Sequence, residues 1–108
     1  QYMDNISLER VASIAGFSPN YFSSQFKQET GMGFQDYLTM LRINRAKELL
    51  RSTNLSISEV CYQVGYQDIR TFNRVFKRVA ALRPGEFKKL YVTLMGVLEI
   101  VALSDVTN

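Results

Sequence analysis

The 108-residue chain repeats itself. Residues 7–17, SLERVASIAGF, and residues 56–66, SISEVCYQVGY, align at an offset of 49. Ser7 matches Ser56, Leu8 matches Ile57, Val11 matches Val60 and Ala12 matches Cys61. Ala15, Gly16 and Phe17 then match Val64, Gly65 and Tyr66. After one inserted residue the offset becomes 50, pairing Phe22 with Phe72, Phe26 with Phe76 and Lys27 with Lys77. A repeat limits the fold to stacked copies of one small unit. Two copies are too few for a solenoid, so two paired lobes are expected.

Each copy carries helical punctuation. Ser56 and Glu59 form the S-x-x-E pattern of a capping box, in which each side chain satisfies the other's free backbone N–H. Ser7 can cap the first copy, but Arg10 stands where the glutamate would be. Leu8, Val11, Ala12 and Ala15 follow helical spacing, as do Ile57, Val60, Cys61 and Val64. Gly16 and Gly65 stand where a helix ends in a left-handed residue. Ser18-Pro19 restarts the chain as a cap followed by proline at the first helical position. Asp68 can cap the matching helix of the second copy. Each copy thus reads as a helix of about two turns, a tight glycine turn and a helix of about three turns. The second helices are expected over Pro19–Thr30 and Ile69–Ala80. Between the copies, Phe34, Tyr37, Leu38, Leu41, Ala46, Leu49 and Leu50 mark one long helix from about Phe34 to Ser52. Pro84, followed by Glu86 and Phe87, opens a further short helix. The fold class is all-α: two helix-turn-helix lobes joined by a long central helix. Residues 1–53 form the first lobe with its linker helix, 54–89 the second lobe, and 90–108 a C-terminal extension of unknown role.

Composition removes several chemistries. With no histidine there is no imidazole base and no nucleophile–histidine pair. The single cysteine, Cys61, excludes an intrachain disulfide and any multi-cysteine metal site. No enzyme, cofactor or metal centre is expected. The net charge of +3 is unevenly spread: +1 over residues 1–53, +4 over 54–89 and −2 over 90–108. Arg70–Lys89 holds seven Lys/Arg against Glu86 alone, a field that favours a polyanion. Leu90–Leu103 is the longest apolar stretch, too short and, with Glu99, too polar to span a bilayer. No secretory signal precedes the first copy, and a cytoplasmic, nucleoid-associated location is expected. The start at Gln1 suggests a piece of a longer protein.

A helix-turn-helix reads DNA by laying its second helix in the major groove, with the opposite face packed on the first helix. Phe22 and Phe26, and Phe72, Phe76 and Val79, mark the faces expected to be buried. Asn20, Ser23, Ser24 and Lys27, and Ile69, Arg70, Asn73, Arg74 and Lys77, are left outward. Arginine pairs with guanine, asparagine with adenine, serine with several bases, and an aliphatic group with the thymine methyl. The same residues would equally suit the solvent face of two amphipathic helices, but their recurrence in both copies favours DNA. The long helix would span ~27 Å, near the ~34 Å turn of B-DNA, so both reading helices could enter successive major grooves.

The run from Ile6 to Lys89 resembles the C-terminal DNA-binding domain of AraC/XylS-type bacterial transcription regulators. The residues that carry it are SLERVASIAGFSPNYFSSQFKQETG, YLTMLRINRAKELL and SISEVCYQVGY…FNRVFKR…RPGEFKK. The resemblance implies seven helices or nearly so, action on double-stranded promoter DNA, and sequence-specific regulation of transcription. It implies base reading by Asn20, Ser23, Ser24, Ile69, Arg70 and Arg74, with Asn73 added from its outward position. Phosphate contacts are expected from Ser18, Tyr21, Lys27, Thr71, Lys77 and Arg78. Arg42 matches a middle-helix arginine of the family, with a structural or phosphate-facing role. The family's first helix would begin before Gln1, and an effector or receiver domain would lie outside this chain. RNA polymerase is a further partner, and a protein–protein module without DNA readout is the alternative. Ala80-Ala81 departs from the family's Thr-Gly-like pair, which Thr30-Gly31 keeps, so the turn at Ala81 would carry strain. Leu90–Asn108 lies outside the resemblance. Its Tyr91, Leu94, Leu98 and Val101 have helical spacing, a strand is nearly as plausible, and packing back on the second lobe is expected. A dimer contact is the sharper option, and an unstructured extension is the third.

Overall fold

The computed structural model describes residues 7–107, with side chains described to Asp105. Residues 1–6, where the family's first helix would fall, lie outside the described residues. Six helices follow one another: α1 (Leu8–Ala15), α2 (Pro19–Thr30), α3 (Phe34–Ser52), α4 (Ile57–Gln63), α5 (Ile69–Ala80) and α6 (Pro84–Thr107). No strand occurs among the described residues.

The sequence signals set the helix ends. The Ser7 and Ser18 hydroxyl oxygens accept from the Arg10 and Tyr21 amides. At Ser56 both halves of the capping box form: Ser56 Oγ accepts from the Glu59 amide, and Glu59 Oε1 accepts from the Ser56 amide. Asp68 accepts from the Arg70 amide and from the Thr71 hydroxyl. These bonds satisfy N–H groups that have no partner inside their own helices. They also hold the Glu59 and Asp68 carboxyls below the usual carboxylate range, through the Ser56 backbone and the Thr71 hydroxyl respectively.

The repeat is as plain in three dimensions as in the sequence. Both glycine turns carry the same pair of bonds. Phe17 N–H donates to Ala12 O and Gly16 N–H to Ser13 O; Tyr66 N–H donates to Cys61 O and Gly65 N–H to Tyr62 O. Ala12 and Cys61, matched in the alignment, are both fully buried. The ring pairs recur too: Phe22–Phe26 at 5.9 Å and Phe72–Phe76 at 5.8 Å, then Phe26–Tyr37 at 5.3 Å and Phe76–Phe87 at 5.7 Å. The offset of 50 carries past the second helices, so α3 begins at Phe34 and α6 at Pro84. The duplicated unit therefore has three helices, and α6 stands to α5 as α3 stands to α2.

The two lobes share α3. Its N-terminal half gives Phe34 and Leu38 to the first lobe, where Phe34 meets the rings of Phe22 and Phe26. Its C-terminal half gives Ile43, Ala46, Leu49 and Leu50 to one core with Val60, Cys61, Val64, Phe72 and Phe76. Packing thus divides the chain within α3, about ten residues earlier than a 53/54 boundary. The second lobe is the denser: Phe72 and Phe76 are fully buried, whereas Phe22 and Phe26 are half-buried.

Three expectations are corrected. Pro84 opens a helix of 24 residues, not a short one, and the strand alternative for the C-terminal segment is excluded. Only the start of that segment packs back on the second lobe, where Arg51 covers the half-buried Tyr91; Val92, Ile100 and Leu103 are about two-thirds exposed. On α5, Val79 is exposed at 39 % and Val75 packs against the core in its place.

Candidate nucleic-acid interface

On α5, Arg70, Asn73, Arg74, Lys77 and Arg78 are all exposed. At about 100° per residue they occupy an arc of roughly 140°, opposite Phe72 and Phe76. The same arc on α2 carries Asn20, Ser23, Ser24, Lys27 and Gln28, all exposed except the half-buried Ser23. Each second helix thus shows a polar face, with four cations on α5 and one on α2. The ends of both faces are fixed by the caps just described. The Arg70 backbone, at the entry to α5, is held by Asp68.

Several residues expected at the site are placed differently. Ile69 is half-buried against the second-lobe core, so the outward role expected for it is not supported by its position. At about 100° per residue Ile69 lies some 20° from Phe76, on the buried side of α5. Thr71 is half-buried and its hydroxyl is given to Asp68. Ser18 and Tyr21 are exposed, the Tyr21 ring 5.1 Å from that of Phe17.

Arg42 stands apart from both faces. It is half-buried in α3, with its guanidinium carbon 5.9 Å from the Tyr66 ring centroid. Of its two expected roles, this geometry supports the structural one: a cation over a ring clamps the glycine turn of the second lobe to α3. Burial pushes the Tyr66 hydroxyl up, and the charges of Arg42 and Arg78 oppose that shift. The sequence offered one sign of this contact, the match between Tyr66 and Phe17. Phe17 has no such cover among the described residues and is 48 % exposed. Lys47 and Arg51 do similar work further along α3, lying 6.0 Å over the Phe87 ring, with Arg51 also over Tyr91. Burial pushes the Cys61 thiol up and makes it a core residue without thiolate character.

Comparison with known proteins agrees with this anatomy. The family model described as a helix-turn-helix domain matches residues 11–90. The transcriptional activator RhaS of an Enterobacter species is 33 % identical over 88 residues, covering 82 % of this chain and 32 % of its own. The chain spans about a third or less of the length of the first curated relatives it matches. Among solved structures, the C-terminal domain of the response regulator AraT from Geobacillus stearothermophilus superposes with a TM-score of 0.75 at 37 % identity, over 81 % of this chain and 72 % of that one. An AraC-type regulator from Chromobacterium violaceum gives 0.76 at 27 % identity, over 80 % and 77 %. The chain belongs to the AraC-type helix-turn-helix family, a family of DNA-binding transcription regulators and not of enzymes.

Proposed function

We propose that this chain binds double-stranded promoter DNA sequence-specifically, with α2 and α5 as its two reading helices in successive major grooves. The observation that carries the reading is the duplicated polar arc, on two lobes joined by one continuous helix. The 19 residues of α3 span about 28 Å, against ~34 Å for a turn of B-DNA. Arg70, Asn73 and Arg74, with Asn20, Ser23 and Ser24, are the base-reading set. Lys27, Lys77 and Arg78 hold phosphates, with Ser18 and Tyr21 at the first lobe's entrance. The four cations of α5 give the second lobe most of the electrostatic affinity, and the amide and hydroxyl groups of α2 add selectivity. The two lobes, which meet within α3, act as the reading units of a longer cytoplasmic regulator, whose effector or receiver domain lies elsewhere in the protein.

Selection of bound DNA from a random library tests this directly. The expected product is an asymmetric site of two short blocks, one helical turn apart, whose affinity falls steeply with salt as phosphate contacts release counterions. A lack of any binding at low salt would refute it. Capture of RNA polymerase in place of DNA would establish the protein–protein alternative.

A further inference from the structure

Arg42 stands in the short span of α3 between Leu38, buried in the first lobe, and Ile43, buried in the second, and it is the only charged residue between them. Its guanidinium carbon lies 5.9 Å from the Tyr66 ring centroid, across that junction. Tyr66 is joined to the second reading helix in two ways. Its ring centroid is 5.6 Å from that of Phe72, on the buried side of α5. Along the chain it comes just before Asp68, whose carboxylate accepts from the Arg70 amide and the Thr71 hydroxyl at the entry to α5. The row of rings goes on from Phe72 to Phe76 at 5.8 Å and from Phe76 to Phe87 at 5.7 Å. There Lys47 and Arg51 lie 6.0 Å over the last ring. At about 100° per residue Arg42 and Arg51 stand roughly 180° apart around α3, with Ile43, Ala46 and Leu50 between them. Cations on both flanks of the connector thus hold the rings of the second lobe. A turn of that lobe about α3 would break one contact or the other.

We propose, on the DNA reading given above, that Arg42 is a positioning residue for base reading by α5: it aims that helix through Tyr66 and touches no DNA. The two roles leave different marks. A phosphate contact fixes a protein on the duplex but carries no sequence information, so its loss weakens all sites alike. A lost positioning contact lets α5 settle in more than one pose. The base contacts of α5 then lose discrimination, while those of α2, held by Phe34 and Leu38 on the other side of the junction, keep theirs.

The test is competition binding on the site selected from the library, with every base pair of each block replaced in turn. Arg42→Met is expected to lower affinity roughly two- to fivefold, the size of one cation–ring contact. It should flatten base preference in the block that Arg74→Ala identifies as read by α5 and leave the other block unchanged. The slope of log K against log salt should stay the same. Arg42→Lys, which keeps a cation over the ring, should restore part of the preference. Tyr66→Phe should keep it and Tyr66→Leu lose it, and adding Arg42→Met to Tyr66→Leu should cost nothing further. Without DNA, amide exchange at Gly65 and Tyr66, whose N–H groups close the turn, should quicken in Arg42→Met while that in α2 stays the same. A slope reduced by about 0.9, or a loss of preference shared equally by both blocks, overturns the proposal. Unchanged exchange at the turn, or exchange quickened equally in α2, overturns it whether or not DNA is bound. Failure of the unaltered chain to bind DNA at low salt refutes the DNA reading and this role together.

Discussion

Ala81 closes α5 with φ 68° and ψ 0°, and Gly31 closes α2 with φ 76° and ψ 2°. Each donates its N–H to the lysine four residues back, Lys77 O and Lys27 O, at 2.8 Å. The two turns are one structure built once with a methyl group and once without. A left-handed conformation costs an L-residue with a Cβ roughly 1–2 kcal/mol. Glycine escapes that cost but has a more flexible unfolded chain, which returns about 0.4–1 kcal/mol. The balance for Ala81→Gly is a gain of about 1 kcal/mol, or roughly 5 °C in Tm for a domain near this size. The reciprocal Gly31→Ala has no steric complication, since a Cβ there would meet no atom within 4 Å. It is expected to lose about the same, ~1 kcal/mol. Urea unfolding with a common m-value measures both. If Ala81→Gly leaves the midpoint unchanged or lowers it, the strain argument is wrong. DNA affinity should not follow either change, because neither residue lies on a reading face.

Further outcomes follow from the site and the caps. Arg74→Ala should cost about 1–3 kcal/mol of binding and relax specificity at one base pair in a selection experiment; a uniform loss over all sequences would make Arg74 a phosphate ligand. Lys77→Ala should weaken every site alike and reduce the slope of log K against log salt by about 0.9. Ile69→Ala should lower the thermal midpoint, by about 1–2 kcal/mol for a half-buried aliphatic group, while leaving base preference at every position intact. Glu59 and Asp68 titrate below their unfolded values, so their stabilisation is present at neutral pH and lost as pH falls through the folded-state values. Urea midpoints should thus hold level from neutrality to about pH 5 and decline below about pH 4. Ser56→Ala, which removes the hydroxyl half of the box, should cost about 1 kcal/mol at neutral pH and flatten part of that decline.

What could be read from residues alone was whatever has a local cause. Caps at Ser7, Ser18, Ser56 and Asp68 and the glycine turn at Gly16 place the starts of α1, α2, α4 and α5 because a side chain and an N–H a few residues away decide them. The end of α6 had no such signal. Gly96 sits mid-helix without the positive φ that would stop it, and the Val and Ile residues around it fit either helix or strand. Val79 has the right helical phase, about 20° from Phe72, but it stands in the last turn of α5 and is exposed, while Val75, about 60° from Phe72, packs on the core. Ile69 shares the helical phase of Phe76, about 20° away, which is why it packs on the core side. The role of Arg42 depended on Tyr66, 24 residues away, and only the folded chain brings a guanidinium over that ring.

Because α3 is buried on one stripe in each lobe, it fixes more than a distance. No loop separates Leu38, held by the first lobe, from Ile43, held by the second, so the lobes cannot turn independently without bending a helix. The angle between the two reading helices is therefore encoded in the count of residues from 38 to 43. One residue added between them would rotate the second lobe about 100° around the α3 axis while lengthening the connector by only 1.5 Å. Four added residues would restore the angle to within about 40° and move the lobes ~6 Å apart. In the proposed complex α3 serves as a phase key, tying the pitch of a protein helix to that of the duplex.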